Sequence, residues 1–138
     1  MKLSVIAVGR IRPPFDAAEA HYVKLARPRQ KIEVVEVKGD EALIKRLEPG
    51  AFVVALDPDG REMDSLEWSA WLDDRRLAAR DVSILIGGPE GLPAAALERS
   101  DERVSLGRQT MAHQLARVVV LEQIFRAGKI LAGEKYHL

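Results

Sequence analysis

Short apolar runs rich in Val and Ile alternate with segments of helical periodicity from one end of this 138-residue chain to the other. The strand-like runs are Lys2 to Val8, Ile32 to Val37, Ala51 to Leu56, Val82 to Ile86 and a short one at Val104 to Leu106. Between them lie Phe15 to Ala26, Asp40 to Leu47, Asp64 to Ala79, an alanine-rich stretch opened by Pro93, and His113 to Leu131. Apolar residues recur there at spacings of three and four, as on a helix that buries one face. The breaks fall at Gly9 to Pro14, Pro28, Pro49-Gly50, Asp57-Pro58-Asp59-Gly60 (a turn by composition) and Gly87-Gly88-Pro89-Glu90-Gly91. Strands apolar on both faces, each followed by a helix, predict a mostly parallel sheet with helices on both faces, the α/β class. No repeat, linker or low-complexity tract interrupts the pattern, so residues 1–138 read as a single domain.

Composition narrows the chemistry. Cysteine is absent, which removes disulfide frameworks, thiolate zinc sites and cysteine nucleophiles, and fits a cytosolic protein. Three histidines without clustered carboxylate spacing give no expectation of a catalytic metal. Twenty-one basic residues balance 21 acidic ones, so any attraction to a polyanion must come from a local patch. The apolar run Leu3 to Val8 is too short for a signal peptide, and no run is long enough to span a bilayer. The expectation is a protein neither exported nor membrane-spanning.

The last helix points to a partner. At about 100° per residue, Val118, Val119, Val120, Leu121, Ile124, Phe125 and Ile130 reach nearly every side of it, while Glu122, Arg126 and Lys129 share one narrow sector. A helix apolar almost all round is buried on more than one face. The sheet covers one face, and a second copy covering the rest predicts a homodimer; loops of the same chain are the alternative.

Parallel α/β sheets bind ligands at the carboxyl ends of their strands. Three loops qualify: Asp57 to Gly60, Gly87 to Gly91, and Gly107 to Ala112. The glycines of the second allow close backbone approach, which suits a flat or phosphorylated ligand and equally a tight strand-to-helix turn. It is neither a dinucleotide fingerprint nor a P-loop, and no nucleophile elbow occurs in the chain. His113 opens the last helix, where the positive dipole end disfavours a further positive charge; a structural histidine is the more frequent case. Asp57 reads as a ribose binder or, more often, a turn residue, and Glu122 as a base or, better, as the i, i+4 partner of Arg126. The segment His21, Lys24, Arg27, Arg29, Lys31 holds four formal positive charges, and Arg10 and Arg12 lie on a loop that could join it. Such a patch can contact phosphates, although a solvated surface is the usual explanation.

Three stretches carry a resemblance. The amino-terminal MKLSVIAVGR, the central ARDVSILIGGPEGL and the terminal ARVVVLEQIFRAGKILAGEKYH together resemble the family of ribosomal RNA large-subunit methyltransferase H. Most specific is SILIGGPEGL followed about twenty residues later by Thr110-x-x-His113 and the apolar helix ending in Tyr-His.

The resemblance implies a SPOUT-class fold with a carboxyl-terminal trefoil knot, and methylation of N3 of a pseudouridine in 23S rRNA of the large ribosomal subunit, met either as the subunit or in the assembled ribosome. It implies that S-adenosyl-L-methionine is held by Leu56, Gly87 and the stretch Leu106-Gly107-Arg108-Gln109-Thr110-Met111. It places His113, Tyr136 and His137 on the substrate side, the tail often coming across the dimer. From the charge pattern, Arg10, Arg12, Lys24, Arg27 and Arg29 are the candidates for the RNA face. Relatives extend the tail with an arginine where this chain has Leu138, and their counterpart of Lys38 to Gly50 is longer. A knotted transfer-RNA methyltransferase and a non-catalytic nucleotide-binding module on the ribosome are the alternatives.

Overall fold

The computed structural model describes residues 1–135. Five strands, β1 (Lys2–Val8), β2 (Lys31–Val37), β3 (Phe52–Glu62), β4 (Val82–Ile86) and β5 (Glu102–Ser105), form one parallel sheet in the order β2-β1-β4-β3-β5. The helices are α1 (Phe15–Ala26), α2 (Asp40–Lys45), α3 (Ser65–Ala78), α4 (Ala94–Arg99) and α5 (His113–Leu131). The crossovers through α1 and α3 step in one direction along the sheet and those through α2 and α4 in the other. Right-handed crossovers therefore put the two pairs on opposite faces.

The core follows the two-residue period of the strands. Leu3, Val5 and Ala7 of β1, with Ile84 and Ile86 of β4, face α1, α3 and α5, meeting Val23, Trp68, Trp71, Leu72, Val120, Leu121 and Ile124. Ile6, Val53 and Leu85 face the other way, onto Leu43 of α2 and Ala96 of α4. A six-residue helix such as α2 does not persist alone, and complete burial of Leu43 anchors it with about 1.5–3 kcal/mol. The start of α3 is set locally by a capping box between Asp64 and Glu67.

β3 departs from the sequence expectation. It does not end in a turn after Leu56 but continues to Glu62, and both Leu56 and Arg61 pair with Val104, so Asp57 to Gly60 bulge out of the ladder. The bulge closes onto β5 at Gly60, where a Cβ would stand 2.6 Å from the Arg103 carbonyl carbon and the Val104 nitrogen. Only glycine permits that approach.

Candidate active site

The strand order reverses direction between β1 and β4, the kind of switch point where α/β sheets open a ligand crevice. Beside it, β4, β3 and β5 are consecutive strands; Gly87 follows β4, Leu56 stands where β3 begins to bulge and Leu106 follows β5, so the three share one sheet edge. Two strand spacings amount to about 10 Å, the scale of a nucleoside.

The glycine loop is built from backbone contact. Gly91 N donates to Gly88 O at 3.0 Å, and Gly91 has φ +82°. Gly87 is packed so tightly that a Cβ there would stand 2.4 Å from the Gly91 carbonyl carbon and 2.7 Å from the Leu92 nitrogen. Across the switch point, a Cβ on Gly88 would lie 3.5 Å from Val8 Cγ1. After β5, Ser105 Oγ contacts both Gly107 N and Gly107 O at 3.1 Å and fixes the turn at Gly107 (φ +123°). Leu56, Leu106 and Met111 remain half-buried, while Arg108, Gln109 and Thr110 are exposed. This edge offers bare backbone at Gly91 and Gly107, with open space beyond both Cα atoms, and apolar surface alongside. A cleft of about 400 Å³ adjoins it, lined by Glu62, Met63, Asp64, Glu67, Ser105, Leu106 and Gly107. Its acidic wall was invisible in the sequence, because only the extension of β3 brings Glu62 beside β5.

His113 is the first residue of α5, half-buried, directly beyond the Leu106 to Met111 stretch. Tyr136 and His137 lie outside the described residues. Glu122 is engaged as expected of an i, i+4 pair, accepting from Arg126 Nε at 3.0 Å and from Gln123 Nε2 at 2.9 Å. Asp57 sits in the β3 bulge, its Oδ1 accepting from Asp59 N at 3.2 Å and its Oδ2 lying 3.6 Å from Arg103 Nη1 of β5.

The basic residues do not form one patch. Arg10 and Arg12 follow the end of β1, on the edge that carries the glycine loop, whereas Lys24, Arg27 and Arg29 precede β2 at the opposite edge, since Lys2 pairs with Lys31 and Val8 with Val37. Seven strand residues separate the groups by about 20 Å. Arg29 is moreover paired with Glu134.

One buried constellation escaped the sequence reading. Arg117, 1% exposed, reaches from α5 to Glu19 of α1 (Nε to Oε2, 2.8 Å; Nη2 to Oε1, 3.0 Å), to Glu36 of β2 (2.8 Å) and to Gly9 O (3.2 Å). Burial pushes the Glu36 carboxyl up, but the Ile11 N–H and the Arg117 guanidinium outweigh it and hold the group below the usual carboxylate range. A signal existed: at about 100° per residue, Arg117 falls nearly opposite the sector of Glu122, Arg126 and Lys129. A charge on the apolar face of a helix calls for a buried partner.

Against this geometry, a family model described as "Predicted SPOUT methyltransferase" matches residues 1–137. Relatives agree over their full length. A protein of Anaeromyxobacter sp. (strain Fw109-5) is 40% identical over 152 residues, and one of Gemmatimonas aurantiaca is 37% identical over 153, each alignment covering 99% of both chains; both are named Ribosomal RNA large subunit methyltransferase H. The chain belongs to this family of SPOUT methyltransferases. Two solved structures share the fold of this chain at low identity. A probable methylase family protein from Haemophilus influenzae superposes with TM-score 0.62 at 10% identity, covering 99% of this chain and 70% of its own. A probable methyltransferase from Bordetella pertussis gives 0.60 at 17% identity, covering 93% and 95%. Among the described residues of this SPOUT chain no helix is long and apolar enough to cross a membrane, and no group of three or more His, Cys, Asp or Glu could hold a metal ion.

Proposed function

We propose that this protein transfers a methyl group from S-adenosylmethionine to N3 of a pseudouridine in the 23S rRNA of the large ribosomal subunit. The observation that carries the reading is the shared edge of Leu56, Gly87 and Leu106 to Met111, with His113 directly beyond, in a chain similar from end to end to proteins named for large-subunit rRNA methylation. The bare backbone at Gly91 and Gly107 and the apolar Leu56, Leu106 and Met111 fit an adenosine and the methylene chain of a methionine. When bound there, S-adenosylmethionine supplies an already activated methyl on a sulfonium sulfur, so no metal is required.

The chain's own residues then have three tasks. Backbone groups of the glycine loop and of the Leu106 to Met111 stretch hold the donor. His113, with Tyr136 and His137, orients the base so that the N3 lone pair faces the methyl in line, and takes up or relays the N3 proton. The surrounding apolar side chains exclude water. Transfer of label from S-adenosylmethionine to large subunits lacking the modification tests the reading; label appearing only in transfer RNA would replace it with the alternative substrate.

Two further parts belong to the proposal. The first is a homodimer through α5, where Leu115 and Leu131 are 40% and 36% exposed and Val118, Val119 and Ile130 are half-buried. Light scattering at micromolar concentration is expected to give about twice 15.3 kDa; a stable monomer would remove the case for a tail acting across subunits. The second is the RNA face. Arg10 and Arg12 share the edge of the donor site, and reversing both to Glu is expected to weaken subunit binding and lower its salt slope by up to about two. Lys24, Arg27 and Arg29 are reached by RNA that continues around the molecule, so reversing Arg27 and Arg29 should have the smaller effect. Donor affinity should respond to neither.

A further inference from the structure

The main chain of the Gly9 to Arg12 loop is fastened almost atom by atom. Gly9 N donates to Val37 O at 2.8 Å, and Gly9 O accepts from Arg117 Nη1 at 3.2 Å. Arg10 O accepts from Gln114 Nε2 at 3.0 Å, and Arg12 N donates to Gln114 Oε1 at 2.9 Å. Ile11 N donates to Glu36 Oε2 at 2.7 Å, the same oxygen that accepts from Arg117 Nη2. Thus one amide side chain, more than a hundred residues away in sequence, spans the loop by donating to the residue on one side of Ile11 and accepting from the residue on the other. The Arg10 and Arg12 side chains themselves are exposed.

Stability alone does not account for this arrangement. The two Gln114 hydrogen bonds are at the surface, where water replaces them at little cost, so each contributes about 0.5–1.5 kcal/mol at most. Their effect is geometric. Gln114 is the residue after His113 in the first turn of α5, so the loop bearing two arginines is set in register with the helix start that follows the Leu106 to Met111 stretch.

We infer that Gln114 is a positioning residue for RNA: it mounts the Arg10–Arg12 loop rigidly on the start of α5, so that the phosphates these arginines bind are placed at a fixed distance from the methyl-transfer site. Arg117 and Glu36 brace the same loop from beneath. Holding the backbone beforehand lowers the ordering cost of two long side chains on binding. The inference rests on the rRNA reading above and adds to it the residue that couples phosphate binding to the reaction site.

The test is steady-state methylation of large subunits lacking the modification, at saturating S-adenosylmethionine, with wild type, Gln114→Ala, Arg10→Ala/Arg12→Ala and the triple variant. Gln114→Ala is expected to raise KM for subunits roughly tenfold, the loss expected when two long side chains lose a preorganised mount. The kcat should stay within twofold, as should the calorimetric affinity for S-adenosylmethionine. In the background without the two arginines the Gln114 substitution should have no further effect, because it acts through them. A KM within twofold of wild type, or an effect of the same size with and without the arginines, would overturn the inference while leaving the rRNA reading intact. Absence of methylation by the wild type would overturn both.

Discussion

Replacing Gly87 by alanine is expected to weaken S-adenosylmethionine binding on the order of a hundredfold, about 2.8 kcal/mol, with a much smaller effect on folding. The reason is space. A single methyl at this position would stand 2.4 Å from the Gly91 carbonyl carbon and 2.6 Å from its oxygen. Both are backbone atoms, so no side chain can swing aside, and the loop must open. The neighbouring ladder is untouched, because Gly87 follows the last residue of β4. Calorimetry with the purified variant reads the affinity, and a melting curve reads the fold. Wild-type affinity in a folded Gly87→Ala protein would move the donor site away from this loop.

The second large effect is on stability. Arg117→Met keeps much of the volume but leaves Glu19, whose side chain is only 12% exposed, without its cation. An uncompensated buried carboxylate costs far more than the lost attraction, and breaking one partner of such a pair typically destabilises by about 3–5 kcal/mol. In a domain of this size that lowers Tm by roughly 10–20 °C. Glu36 adds little, since its side chain is 36% exposed and water can take over. The double variant Glu19→Met/Arg117→Met separates burial cost from simple loss of contact: it should recover much of the stability, as apolar replacements of buried pairs do. If the double variant were as unstable as the sum of the singles, the network would be holding the fold together by attraction.

Much of the architecture was legible because the strong elements have hard ends. β1, α1, β4 and α5 begin and end where the apolar pattern and its glycine or proline breaks place them, at Lys2–Val8, Phe15–Ala26, Val82–Ile86 and His113–Leu131. β3 was not. Asp57-Pro58-Asp59-Gly60 has the composition of a turn, and it stays in the sheet as a bulge only because Val104, far along the chain, pairs on both sides of it. That is tertiary information. The strand order is of the same kind. The parallel pairing of β1 with β2 splits the basic residues that a linear view joins: Arg10 and Arg12 follow the end of β1 at one edge, and Arg27 and Arg29 precede β2 at the other.

The candidate site divides along the same line. Leu56, Gly87 and the Leu106 to Met111 stretch were found from strand ends and from resemblance, and the sheet brings them to one edge. The residues that hold the rest in place were missed because their partners are remote. Arg117 meets Glu19 across 98 positions, and Gln114 meets Arg12 across 102. In the first case an isolated charge on an apolar helix face was the available sign; for Gln114, a polar residue in the first turn of a helix, none was.

The central claim, methylation of pseudouridine N3 in the large subunit, is tested most directly by mapping the product. Large subunits and assembled ribosomes from cells lacking this protein would each be incubated with it and isotope-labelled S-adenosylmethionine, and the 23S rRNA digested and analysed by mass spectrometry. One labelled methyl is expected on the base of a single pseudouridine, at a position that blocks Watson–Crick pairing as N3 substitution must. Label on a ribose, on another base, or on no 23S fragment would contradict it.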